Sequence, residues 1–121
     1  MLPPPLLKLL AVGAYAAIAA ASLVPREFRP ASGLMSGAME HAAAYFVLGI
    51  LAALAFLPNP VARRADIAKL AAFNAAYAGL LECLQFVVPG RVPGFLDFAA
   101  GAIGAIAGTV LAARAVRLKL P

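Results

Sequence analysis

The sequence predicts an all-α integral membrane protein, a compact bundle of four transmembrane helices with both termini in the cytoplasm. Hydrophobic residues make up 64% of the 121 residues and charged residues only 12%, which excludes an ordinary soluble domain. Four apolar stretches reach the length of about 20 residues that a spanning helix needs. Within a single domain, residues 1–121, they cover about 6–24, 38–57, 67–88 and 95–115.

Proline marks where the predicted helices end. The first stretch ends at Pro25, and residues 26–37 form the longest connection. Pro58 and Pro60 close the second stretch, since proline has no amide hydrogen with which to continue a helix. The third stretch ends at Pro89, and a short connection leads to the fourth. With connections this short, consecutive helices are expected to be antiparallel neighbours.

The N-terminal segment also has features of a secretory signal peptide. Lys8 lies near the start of the apolar run, and Ala19–Ser22 offers small residues for a cleavage site. Cleavage would leave three spans and an extracytoplasmic N-terminus. Because the apolar run is long enough to span a membrane and no soluble domain follows it, we interpret it as the first transmembrane helix.

The basic residues are distributed unevenly over the connections. A net charge of +5 suggests nucleic acid as a partner, but the basic residues are not interleaved with aromatic residues, so none is expected. With four crossings, seven of the ten Lys and Arg residues lie on one side of the membrane, which the positive-inside rule assigns to the cytoplasm. The cytoplasmic group is Lys8, Arg63, Arg64, Lys69, Arg114, Arg117 and Lys119, and the outer group is Arg26, Arg29 and Arg91.

Six polar side chains interrupt or flank the apolar stretches. An ionisable group at membrane depth costs roughly 2.5–3.5 kcal/mol on insertion scales, so it usually faces protein, water or a functional site. Three of the five carboxylates in the chain belong to this set. The predicted topology brings all of its members to the outer end of the bundle. They are Glu40, His41, Glu82, Gln85, Arg91 and Asp97.

Helical spacing connects these residues to others. Glu82 and Gln85 are three positions apart and share one face of the third helix. Stripes at similar spacing run along the second and fourth helices, and the fourth includes a GxxxG pattern, which is typical of closely packed membrane helices. We expect its glycines to press the fourth helix against a neighbour. The stripes are His41, Tyr45 and Gly49, and Asp97, Gly101, Gly104 and Gly108.

Several segments together resemble a known family. They are Ser22–Pro25, His41–Gly49, Gly79–Gln85, Pro89–Arg91, Asp97 and Gly104. In this order and spacing they resemble the VanZ-like family of small bacterial membrane proteins. The resemblance implies a multi-pass protein of the bacterial inner membrane and cell envelope, without an established activity. The chain departs from the family pattern at Gly37 and Ala38, where Asp-Lys is frequent, and at Gly101, where asparagine is frequent.

We interpret the polar set as an outward-facing pocket that binds or acts on a membrane lipid or a lipid-linked envelope precursor. His41, Glu82 and Asp97 are the candidate catalytic residues, because a histidine beside carboxylates suits acid–base chemistry. Arg91 suits a phosphate headgroup. No nucleophile is evident, Ser36 being the nearest, and neither a metal nor a cofactor is expected. The candidate binding or site-organising residues are Glu40, Tyr45, Gln85 and Arg91.

Two alternatives remain open. In the first, a structural or partner-binding protein uses the polar set as a non-catalytic interhelical clamp. Gln85 then orients Glu82, Arg91 pairs with a carboxylate, and Asp97 caps the fourth helix. In the second, the protein is a proton-linked transporter, which requires a homo-oligomer because four short spans are few for a pathway. In each case we expect Cys83 to be a small buried apolar residue.

Overall fold

The computed structural model describes residues 2–25, 28, 37–57 and 62–118, and this part of the chain is helical and contains no strand. Each of its four long helices is long and apolar enough to cross a membrane. This confirms the predicted all-α class and the predicted number of membrane-length helices within the described residues. The helices are α1 (Pro4–Leu23), α2 (Gly37–Phe56), α3 (Arg64–Leu84) and α4 (Phe95–Leu118), and a short 3-10 helix (Gln85–Val87) extends α3.

The start of α3 differs from the sequence expectation, since the helix begins about one turn before the apolar stretch. The Asp66 side chain accepts a hydrogen bond from the Arg63 amide at 3.2 Å, and the Ile67 amide donates to the Arg63 carbonyl at 3.1 Å. These bonds satisfy backbone groups that a helix start otherwise leaves without partners. Hydropathy does not register this turn because its residues are polar.

The closest helix pair is α2 with α4, which are not consecutive in the chain. Glycine permits this approach: a Cβ on Gly104 would overlap the Ala42 carbonyl, and a Cβ on Gly108 would overlap the Phe46 carbonyl. From the side of α2, a Cβ on Gly49 would meet the backbone of α4. Helix α1 packs on α2 and α3, while α4 also packs on α3. The small residues therefore let the α2 and α4 backbones touch.

A buried hydrogen-bond network joins three helices near mid-span. The Tyr15 hydroxyl donates to the Asn74 side chain, whose amide donates to the Thr109 hydroxyl at 3.2 Å. Tyr77 donates to the backbone carbonyl of Tyr15 at 2.6 Å. Asn74 and Thr109 are fully buried. Because a polar group without a partner is costly in an apolar interior, this network fixes α1, α3 and α4 relative to one another.

The two ends of the bundle differ in character. At one end, here called the site end, α1 and α3 finish and α2 and α4 begin. The opposite end, called the basic end, carries Arg63, Arg64, Arg114 and Arg117, and Arg117 donates to the Ala62 carbonyl there. Of the predicted topology residues, Arg26, Arg29 and Lys119 lie outside the described residues. The cytoplasmic location of the termini stays a prediction.

Candidate functional site

Glu82 lies at the centre of the site end. It is only 8% exposed, and its Oε1 accepts a hydrogen bond from the Gly94 amide at 2.8 Å. The Gly94 carbonyl in turn accepts from the Phe98 amide at 3.2 Å, so Gly94 immediately precedes the first turn of α4. The carboxylate therefore occupies the N-terminus of α4, where the helix dipole favours negative charge.

His41 faces the other carboxylate oxygen of Glu82. Its Nδ1 lies 2.7 Å from the Gly37 carbonyl oxygen, and because a carbonyl only accepts, we assign the Nδ1 proton to this bond. Nε2 lies 3.9 Å from Glu82 Oε2, which is too long for a direct hydrogen bond. The two atoms face each other across a gap that a water or a ligand atom can bridge.

A polar pocket lies beside this pair, between α1, α2 and the end of α3. Its cavity volume of ≈ 60 Å³ has room for a few water molecules or one small polar group. The His41 and Tyr45 rings stack along one wall with centroids 6.4 Å apart. Polar and apolar side chains alternate around it, so it can orient a ligand as well as enclose it. Its lining is Ile18, Ala21, Ser22, Glu40, His41, Ala44, Tyr45 and Gln85.

Tyr45 depends on a glycine of α4 for its position. The side chain is 2% exposed, and a Cβ on Gly101 would come within 3.0 Å of its ring. The tyrosine ring therefore covers the face of α4 at which the family pattern often has asparagine. A larger residue at this position would displace Tyr45 from the wall of the polar pocket.

An apolar pocket of ≈ 330 Å³ lies on the other side of Glu82, between α3 and α4. Phe86 and Phe95 in its lining are 76% and 81% exposed, so the pocket is open at an apolar surface. Cys83 is exposed, and the expectation that it is buried was wrong because its side chain lines this open pocket. The lining is Gly79, Glu82, Cys83, Phe86, Pro93, Gly94, Phe95 and Phe98.

Sequence reasoning missed the apolar pocket. Three of the seven phenylalanines in the chain fall between positions 86 and 98, on both sides of the last connection. This clustering around a short connection after Glu82 is the signal that could have found it. Taken one at a time, each phenylalanine only adds to the hydropathy of a span and does not indicate a pocket.

Gln85 and Arg91 contact the end of α1. The Gln85 amide donates to the Ser22 carbonyl at 3.1 Å, and Arg91 Nε donates to the Val24 carbonyl at 2.9 Å. A second guanidinium nitrogen donates to the Ala21 carbonyl. The last carbonyls of a helix have no partner within the helix, and a cation there also complements its dipole. These two side chains therefore cap α1 from the end of α3 and the following loop.

A tight turn sets the direction of Arg91. Its amide donates to the Val88 carbonyl at 3.2 Å, with Pro89 and Gly90 as the central residues. Gly90 has φ of 76°, a conformation that side chains disfavour, which matches a type II turn with proline first and glycine second. The Pro89–Arg91 motif thus forms a turn that places the Arg91 side chain against the end of α1.

The two remaining carboxylates lie in first turns of helices. Asp97 is the third residue of α4, is partly buried, and approaches the start of α2: a Cβ on Gly37 would lie 3.8 Å from its Oδ1. Glu40 lies in the first turn of α2 and lines the polar pocket. Both positions suit negative charge. Asp97 thus adjoins the peptide that orients His41. The candidate nucleophile Ser36 lies outside the described residues.

Comparison with known proteins establishes the family. The family model VanZ/LLP1 matches residues 9–117, which is nearly the whole chain. No curated protein and no solved structure matches the chain significantly. The match includes most of α1, nearly all of α4, the whole of α2 and α3, and every candidate residue of the site end. The chain therefore belongs to the VanZ/LLP1 family and is a VanZ-like multi-pass membrane protein.

Proposed function

We propose that this protein binds, or acts on, a lipid or lipid-linked component of the cell envelope at the site end, in the bacterial inner membrane with the site end facing outward. One observation carries the proposal. The buried carboxylate of Glu82 faces His41 of the polar pocket with one oxygen, while its side chain lines the apolar pocket. A lipid has the same two-part character, a polar headgroup joined to an apolar chain.

The apolar pocket suits the chain portion of such a ligand. Its volume of ≈ 330 Å³ falls within the range of roughly 300–1,000 Å³ that is usual for small-molecule sites. Phe86 and Phe95 in its lining are large, highly exposed apolar side chains, which suits contact with the membrane. An acyl or prenyl chain can therefore enter sideways from the bilayer without crossing water, and its headgroup then lies near Glu82.

The charge distribution supports an outward site end. Within the described residues, six Lys and Arg residues lie towards the basic end and only Arg91 lies at the site end. The positive-inside rule favours the basic end in the cytoplasm. The ligand would then come from the outer leaflet or from a precursor on the outer surface.

Any reaction would depend on the His41 and Glu82 pair. Their separation of 3.9 Å leaves a donor or acceptor of a ligand, or a water, able to contact both atoms. A headgroup in this gap could exchange a proton with the imidazole or with the carboxylate, which is general acid–base catalysis. Asp97 would act indirectly, through the start of α2.

A second candidate function is the interhelical clamp. The hydrogen bonds of Gln85 and Arg91 to α1 carbonyls favour it for these two residues. They do not extend it to His41, whose Nε2 is not within hydrogen-bonding distance of Glu82. We therefore assign clamping to Gln85 and Arg91 and ligand contact to Glu82 and His41.

Blocking the apolar pocket tests lipid binding. Cys83→Trp places an indole in the pocket. Leu80→Trp places it one turn deeper on α3, at a 55% exposed position that does not line the pocket. Lipids that co-purify in mild detergent would be quantified by mass spectrometry. We expect wild type and Leu80→Trp to retain a defined lipid and Cys83→Trp to lose it. Equal retention in all three proteins would contradict the proposal.

A further inference from the structure

We propose that the basic end holds an anionic phospholipid in a groove between the start of α1 and the end of α2, with the lipid phosphate on Lys8. Because α1 begins and α2 ends at the basic end, this groove lies at the opposite end of the bundle from Glu82 and His41. The proposal is therefore a second lipid site, and it does not depend on the proposed function.

The groove has the size and the surface of a site for a lipid chain. Its cavity volume is ≈ 520 Å³, within the range of roughly 300–1,000 Å³ that is usual for small-molecule sites. Apart from Lys8, every lining residue in the described part of the chain is apolar. Leu7 is buried there, whereas Leu2 and Phe56 are 48% and 45% exposed, so the groove is open at the surface. An acyl chain can cover this apolar surface.

Lys8 supplies the charge that attracts an anion. Its side chain is exposed, and among the described lining residues it is the only charged one. Six Lys and Arg residues of the described chain lie towards this end, against one carboxylate, Asp66. Asp66 lies on α3, where it accepts a hydrogen bond from the Arg63 amide. A negatively charged headgroup therefore meets an excess of positive charge at the basic end.

The backbone at the start of α1 leaves the ammonium group of Lys8 as the donor for a phosphate. Pro4 and Pro5 have no amide hydrogen, and the amides of Leu6 and Leu7 donate to the Pro3 carbonyl at 3.0 and 3.1 Å. The ends of a 20-residue helix such as α1 lie at the boundary of a hydrocarbon core about 30 Å thick. Lys8 is thus close to the depth of lipid phosphates, and the groove beside it accommodates the attached chain. A free phosphate would leave the apolar lining uncovered.

A purely structural role for Lys8 makes a different prediction. Helix α2 ends at Phe56, and a cation near the C-terminus of a helix complements the helix dipole. If this were the whole role of Lys8, replacing it would lower stability and leave lipid binding unchanged. Lipid binding and stability must therefore be measured on the same variants.

Two lipids with identical acyl chains test the site. Phosphatidylglycerol is anionic and phosphatidylcholine is zwitterionic, although both contain phosphate. Delipidated protein in mild detergent would be mixed with equal amounts of the two lipids, and the bound lipid measured by native mass spectrometry. We expect wild type to prefer phosphatidylglycerol. Lys8→Gln should lower this preference about fivefold, the factor for one basic residue near an anionic surface.

Matched variants assign the preference to the groove. Lys69→Gln removes an exposed charge of the basic end that does not line the groove, so it should change the preference less than about twofold. Ala55→Trp fills the groove and should lower the preference as Lys8→Gln does. Val47→Trp places the same indole at a 52% exposed position of α2 outside the groove and should have no effect. Thermal unfolding of each variant verifies that it is folded.

The outcomes separate this proposal from the proposed function. Equal binding of the two lipids to wild type would overturn it, and so would equal losses of preference in Lys8→Gln and Lys69→Gln. A folded Ala55→Trp protein that keeps the full preference would show that the groove is not the site. Lipid retention that is lost in Cys83→Trp but has the same preference in Lys8→Gln as in wild type would overturn this proposal and leave the proposed function intact.

Discussion

The polar side chains at the site end have two different roles, ligand contact and helix capping. Glu82 and His41 face pockets and leave atoms available for a ligand, whereas Gln85 and Arg91 direct their donors to carbonyls of α1. The difference arises from position. Gln85 and Arg91 follow the α-helical part of α3 and reach across to the end of α1, while Glu82 lies one turn deeper, between α4 and His41.

Replacing Arg91 separates these tasks. Arg91→Ala leaves the Ala21 and Val24 carbonyls without their cationic donor, so we expect it to lower the free energy of unfolding by about 1.5–3 kcal/mol. The amount of bound lipid should not change, because Arg91 is not part of the lining of either pocket. Thermal unfolding in detergent and native mass spectrometry measure the two properties. The control is Arg114→Ala, which removes an exposed positive charge from α4. Unchanged stability with loss of bound lipid would instead support direct headgroup recognition by Arg91.

At the scale of helices, the α2–α4 contact should be the most sensitive to added volume. In Gly104→Ala the new methyl would overlap the Ala42 carbonyl, so α2 and α4 must separate, and we expect a loss of roughly 1–3 kcal/mol in unfolding free energy. The matched control is Gly13→Ala on α1, where nothing lies within 4 Å of the added methyl. It should be neutral or stabilising by up to about 1 kcal/mol, because alanine favours helix. Equal effects of the two substitutions would show that the contact is not close.

The sequence predicts where the helices lie more readily than it predicts which helices pack against each other. Hydropathy reports transfer into an apolar medium, so it predicts four spans, but it carries no information on which helix each face meets. The glycines of α4 indicate a close approach without identifying α2. The caps made by Gln85 and Arg91 were not predicted because their acceptors, such as the Ser22 carbonyl, are backbone groups present in every residue. The site end was nevertheless foreseeable, since the connection lengths alone bring the polar residues to one end.

For the whole molecule, the ligand proposals depend on which end faces outward. The site end collects carboxylates at the first turns of α2 and α4, and the basic end collects arginines around the start of α3 and the end of α4. An outward site end would expose the pockets to envelope components of the outer leaflet. An inward site end would expose them to cytoplasmic precursors instead. The orientation therefore decides the source of the ligand.

Cysteine labelling can determine the orientation. In a Cys83→Ala background, Val92→Cys places a thiol on a loop position of the site end that is 82% exposed, and Ala65→Cys places one at an exposed position of the basic end. A membrane-impermeant maleimide would be added to cells whose outer barriers are permeable to it. Because the positive-inside rule retains the arginine-rich end in the cytoplasm, Val92→Cys should react on intact cells and Ala65→Cys only after lysis. The reverse pattern would place the site end in the cytoplasm, and reaction of both thiols on intact cells would contradict a protein that spans the membrane in this way.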